Sequence, residues 1–154
     1  MKLETFKESL LQVMERFPAL RVIESHLGGN LLHPSLPGHT DVLADLGPLL
    51  DTGQFYLELG YVLGFEHVGL WGDDAIYPFA AHNDIARRAY DKYGAEVLVW
   101  GSDVPWCYRV CTYTQAIDLV RKHTPYMTDA DRDAVLGGNM AALLGLSQQP
   151  TEHR

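Results

Sequence analysis

Three short runs rich in β-branched and aromatic residues restrict the fold more than any other feature: Leu20-Arg21-Val22-Ile23-Glu24-Ser25, Gln54-Phe55-Tyr56-Leu57-Glu58-Leu59 and Glu96-Val97-Leu98-Val99-Trp100. They lie about 35 to 40 residues apart with helix-patterned sequence between them, the rhythm of parallel βα units joined by right-handed crossovers. The third run is nearly all apolar, as expected of a strand covered on both faces. An α/β fold with parallel strands is therefore predicted.

The intervening segments have their own punctuation. Phe6, Leu10, Val13, Met14 and Phe17 recur at helical spacing behind Thr5-Phe6-Lys7-Glu8, which has the capping-box form, and Pro18 ends that helix. Thr40 is placed to cap a second helix running to Leu50. A third presents Ile76, Phe79, Ala80, Ala86 and Tyr90 on one face and stops at Gly94, where a left-handed cap is easy for glycine. Beyond the last strand, Thr112-Tyr113-Thr114-Gln115 and Thr128-Asp129-Ala130-Asp131 open two helices, and Asn139 caps a final short one ending at Gly145. Residues 1–146 read as one domain and 147–154 as a frayed tail.

Composition narrows the function classes. With 47% hydrophobic and 21% charged residues the chain has the balance of a soluble domain with a core. Its formal charge of −8 and the lack of any Lys/Arg cluster longer than a pair argue against nucleic acid as a partner. No apolar run is long enough to span a bilayer, the amino terminus lacks a signal-peptide core, and two cysteines are too few for a disulfide scaffold. A cytoplasmic protein with a small-molecule ligand and no membrane partner is expected.

In parallel sheets ligands bind beyond the carboxyl ends of the strands, where His26, Glu58 and Asp103 all fall. Asp103 follows a buried strand directly, so its carboxylate must be solvated, paired or metal-bound to stay charged; it either caps the next turn or serves a site. His26, ahead of Gly28-Gly29, is a ligand, a base or a packing residue. Glu58 shares its side of the strand with Tyr56, and a surface position or an ion pair is the expected role. His39 flanks a Pro/Gly-rich loop within reach of a pocket mouth, and Trp106, with Trp100 and Tyr108, lines a pocket or joins the core. Cys107 and Cys111 lack the second pair a four-ligand metal site needs and read as structural thiols. Neither Gly28-Gly29 nor Gly137-Gly138 sits in a phosphate-binding frame.

Three stretches carry a family resemblance: Arg21-Val22-Ile23-Glu24-Ser25-His26-Leu27-Gly28-Gly29, Val97-Leu98-Val99-Trp100-Gly101-Ser102-Asp103-Val104-Pro105-Trp106 and Leu136-Gly137-Gly138-Asn139-Met140-Ala141-Ala142-Leu143-Leu144-Gly145-Leu146. In this order they resemble the C-terminal part of the amidohydrolase-related metal-dependent hydrolases, the group that includes aminocarboxymuconate-semialdehyde decarboxylase-type enzymes. The resemblance implies strands 6 to 8, with their helices, of a TIM-type (β/α)8 barrel. It implies that Asp103 is a ligand of a divalent metal, usually zinc, and that His26 helps deprotonate the metal-bound water. Hydrolysis of a small carbonyl-type substrate, or a related decarboxylation, follows; His39 and Trp106 would contact that substrate, and Asn139 with its glycines would close a structural turn.

The chain departs from the family in holding no His-x-His pair, which members carry on the first strand. A whole barrel takes about 250 residues, so a fragment is expected, with two open sheet edges, weak zinc binding and no turnover as an isolated chain. Its partner would be a complementing N-terminal half. Two other readings stay open: a non-catalytic interaction module that pairs its edges with another copy, and a small open α/β domain binding a small molecule without metal.

Overall fold

The computed structural model describes residues 3–25, 43, 46–60 and 77–146. Helix α1 (Leu3–Arg16) leads into strand β1 (Val22–Glu24); α2 (Gly47–Leu50) precedes β2 (Phe55–Gly60), and α3 (Ala80–Tyr93) precedes β3 (Leu98–Gly101). A 3-10 turn (Trp106–Arg109), α4 (Tyr113–His123), α5 (Asp129–Asp133), a π-helical stretch (Ala134–Gly138) and α6 (Asn139–Leu143) complete the order. The three strands form one sheet in the order β1-β2-β3, with both pairings parallel. Each strand arises from one of the three runs read in the sequence.

Alternation along the strands separates the two sheet faces. Phe55, Leu57 and Leu59 of β2 and Leu98 of β3 are buried in one core with Leu49, Leu50, Ala86, Ala89, Leu119 and Val120 from the helices. Burying each large side chain here contributes about 1.5–3 kcal/mol relative to exposure. The register sets Leu57 beside Leu98 and Leu59 beside Trp100, so Trp100 shares the helix-covered side, where its ring meets Tyr113 edge-on at 5.9 Å. Ile23, Tyr56, Glu58, Val99 and Gly101 take the other side, since paired residues share a face. Ile23 there is 40% exposed.

Several boundaries differ from the sequence reading. α1 starts at Leu3, so Thr5 lies inside the helix rather than capping it. Gly94 does end α3 with a positive φ of 82°, but its ψ of 178° belongs to an extended region open essentially to glycine alone, not to the left-handed helical cap expected. Thr40, Ile76 and the tail 147–154 lie outside the described residues. Thr112 and Thr128 form the capping boxes their sequences indicate, with Gln115 and Asp131 as reciprocal partners.

Asn139 is the main correction. Its backbone is helical (φ −64°, ψ −44°), continuous with the π-helical stretch before it, so it caps nothing. Instead its side-chain amide donates to the carbonyls of Ala95, 2.8 Å away, and Leu98, 2.7 Å away. This ties the last helices to the entrance of β3. The helix then closes on Gly145 (φ 66°), with Leu146 N donating to Ala141 O and Gly145 N to Ala142 O, the paired bonds of a Schellman ending. Thr124, the buried polar residue among those described, donates to Val120 O and accepts from Arg132 Nε, joining α4 to α5.

Two predictions follow from these contacts. Replacing Asn139 with Ala takes the side-chain donor from the Leu98 carbonyl and one of two donors from the Ala95 carbonyl, which keeps its bond from Leu98 N, and is expected to lower unfolding free energy by about 1–3 kcal/mol in denaturant titration; an unchanged midpoint would show that the tether is idle. The Asp131 carboxylate accepts from the Thr128 hydroxyl at 2.7 Å and the Tyr90 hydroxyl at 2.8 Å, and these bonds hold its carboxyl below the usual range. A carboxyl depressed by folding adds stability that is present above its unfolded pKa and lost as pH falls through the folded value. Asp131→Asn is therefore expected to flatten the acid limb of a stability-against-pH curve while leaving its neutral-to-alkaline shape.

Candidate active site at the end of strand β3

Asp103 stands two residues beyond β3, where the chain leaves the sheet through Gly101-Ser102. Its φ is +50°, a conformation most side chains avoid and Asp tolerates better than most. The following turn is built without its carboxylate: Cys107 N donates to the Asp103 backbone oxygen at 3.1 Å, and Val104 N to Ser102 Oγ at 3.4 Å. The Val104-Pro105 peptide is cis. Asp103 Oδ2 is buried and has no hydrogen-bond partner. Of the two sequence alternatives, the turn-cap reading is thus set aside. A buried acceptor left open costs about 1–3 kcal/mol, and unmet groups of this kind cluster where a ligand completes them.

Glu58 lies one strand away on the sheet face opposite the helices. Its carboxylate rests against Gly101, where a Cβ would overlap the Oε1 atom. The sequence signal for this crossing was the glycine itself, since a glycine inside a strand marks a close approach. The expected ion pair is absent among the described residues, where the salt bridges join Arg87 to Asp91, Lys122 to Asp118 and Arg132 to Asp129.

The other predicted groups divide. His26 and His39 lie outside the described residues. Trp106 opens the 3-10 turn three residues after Asp103, and its side chain is likewise outside the description. The aromatic cluster does not close as a core: Trp100 packs against the buried cluster with its Nε1 unpartnered, but Tyr108 is 60% exposed. Cys107 and Cys111 are free and buried, and burial pushes both thiols up, with the Asp103 charge adding to the effect at Cys107. Neutral thiols suit packing rather than metal ligation.

No group of three or more His, Cys, Asp or Glu side chains able to hold a metal occurs among the described residues. Asp103, with its open buried oxygen, fits the donor the resemblance calls for, but the described residues alone do not supply a full shell. A cavity of about 480 Å3, lined by Arg21, Tyr56, Glu96, Asn139 and Leu143 among others, opens at the amino ends of the strands, away from Asp103. No helix among the described residues is long and apolar enough to cross a membrane.

The sequence pattern of the amidohydrolase family matches residues 8–146. The chain belongs to that family. Among solved structures it is similar to a zinc-bound amidohydrolase from Burkholderia multivorans (22% identity, TM-score 0.69, covering 94% of this chain and 50% of that one). It is also similar to a probable 2-pyrone-4,6-dicarboxylic acid hydrolase from Acinetobacter baumannii, bound to citric acid (19%, TM-score 0.56, 91% and 50%). A third is amidohydrolase 2 from Bifidobacterium longum subsp. infantis (17%, TM-score 0.55, 90% and 45%). No curated protein sequence matches the chain. The chain spans about half the length of these structures, and its three parallel strands are part of a TIM-type barrel.

Because the unmet oxygen penalises the folded state, Asp103→Asn is expected to leave unfolding free energy unchanged or to raise it by up to about 3 kcal/mol. Denaturant titration measures this; a loss above about 1 kcal/mol would mean that the carboxylate already has its partner.

Proposed function

We propose that this chain carries part of the active site of a metal-dependent amidohydrolase, with Asp103 as a ligand of a divalent cation, zinc by the family's habit. The observation that carries the reading is the buried, unpartnered Oδ2 of Asp103 at the carboxyl end of β3. When bound, such a cation would acidify a coordinated water and so supply hydroxide near neutral pH. The Asp103 carboxylate would help hold the cation and orient that water. His26, one residue past Ser25 at the end of β1, is the matching base, its ring nitrogen taking the proton.

The substrate class is a small carbonyl compound such as an amide, ester or lactone, with decarboxylation as the related outcome; His39 and Trp106 are assigned to substrate contact. The two free thiols support a reducing, cytoplasmic setting.

With Asp103 as the only clear inherited ligand, the 154-residue chain alone is expected to bind zinc weakly and to hydrolyse nothing. Calorimetric zinc titration checks this, and a tight site abolished by Asp103→Ala would refute the incompleteness. In protein whose barrel is complete, Asp103→Ala is expected to lower zinc content and to cut kcat/KM on a lactone and amide panel about 100-fold or more; full activity in that variant would refute the assignment.

A further inference from the structure

Charge is divided unevenly along this chain. The stretch 22–86 holds nine Asp or Glu and no Lys or Arg, a formal −9, while the remaining residues, with 11 acidic and 12 basic side chains, come to +1. The segments that follow β1 and β2 both belong to that acidic stretch. The described cations nearest the strands in sequence stand at their amino ends: Arg16 and Lys92 in the last turns of α1 and α3, which lead into β1 and β3, and Arg21 just before β1. Among the described residues only Arg109, exposed on the 3-10 turn, closely follows a carboxyl end. Glu58 is the acid that stands within the sheet itself. It is partly buried beside its fully buried register partner Val99, and its carboxylate leans toward the carboxyl end to rest against Gly101, two residues before Asp103. It makes no ion pair with a described residue.

We propose that Glu58 determines substrate specificity at the site of Asp103, and that its complement is a positively charged nitrogen, an ammonium or amidinium group, carried by the substrate alongside the carbonyl. The inference rests on the proposed site and adds the substrate's charge to it. In a TIM-type barrel the face opposite the helices turns inward, and ligands bind at the carboxyl ends of the strands. A carboxylate enclosed there calls for a cation or donors opposite it, and β3 offers a glycine. A cationic substrate supplies the countercharge, and the acidic stretch raises its local concentration, since a cleft of one sign gathers ligands of the other. An anionic substrate is set against Glu58 instead, and like-charge juxtaposition costs affinity. Selection thus works by rejecting anions as well as by attracting cations. Gly101 belongs to the same device, because a side chain there would displace the Glu58 carboxylate.

Two small primary amides test this: γ-aminobutyramide, which carries an ammonium group, and succinamate, which carries a carboxylate. Each is titrated into the 154-residue chain at low ionic strength with a chelator present, binding being read by ligand-observed NMR. The ammonium probe is expected to bind about tenfold or more tightly than succinamate. Glu58→Gln is expected to remove most of that difference, whereas Asp91→Asn, the same change of net charge on an exposed residue of α3, leaves it intact. Circular dichroism checks the fold of both variants. Should Glu58→Gln not fold, Glu58→Asp, which draws the carboxylate back by one methylene, is read in its place and loses part of the preference. Equal binding of the two probes, no binding of γ-aminobutyramide, or a preference that Asp91→Asn reduces as much as the Glu58 variant does would overturn the proposal. The chelator keeps the outcome apart from the metal reading: selection through Glu58 in a protein without Asp103-dependent zinc binding would count against that reading alone.

Discussion

The burial of Phe55, Leu57 and Leu59 beneath the helices is the constraint on which the rest of the structure depends. Side chains on a strand alternate between faces, so locking these three toward the helices fixes Tyr56 and Glu58 on the opposite side, and the register carries the choice to Val99 and Gly101. A slip of one residue would send Glu58 into an apolar core and Leu57 and Leu59 to the far side. The hydrophobic effect acts here as an address system. It decides where a carboxylate stands without touching it.

At the end of β3 the argument changes from burial to strain. Asp103 combines a left-handed backbone with a buried oxygen that nothing among its neighbours satisfies. Both features oppose folding, and the turn holds because Ser102 and the Asp103 carbonyl make the local hydrogen bonds instead. Under the proposed function that cost has a reason, since a carboxylate that is to hold an ion has to be left unsatisfied by the protein.

Much of this was legible in the sequence. The three strands, their parallel order and the capping boxes at Thr112 and Thr128 followed from periodicity, turn chemistry and a resemblance resting on short ordered motifs. Asn139 was misread because a cap and a tether use the same side chain, and only the fold brings Ala95 and Leu98 within its reach. For Glu58, alternation told its side of the strand but not that its carboxylate reaches across to Gly101, two residues along from its register partner Val99. Thr5 failed as a cap because the helical pattern extends a turn further upstream than its first large apolar residue. Contacts between residues far apart in sequence are what local patterns omit.

The amide of Asn139 grips β3 at its start, while Asp103 leaves it at the other end. The strand between them is short, and a rigid rod moves as a whole. Proteolytic trimming of the carboxyl-terminal helices, or a fusion partner that pulls on them, would therefore be felt as a loosened aspartate, although no residue near that aspartate had changed.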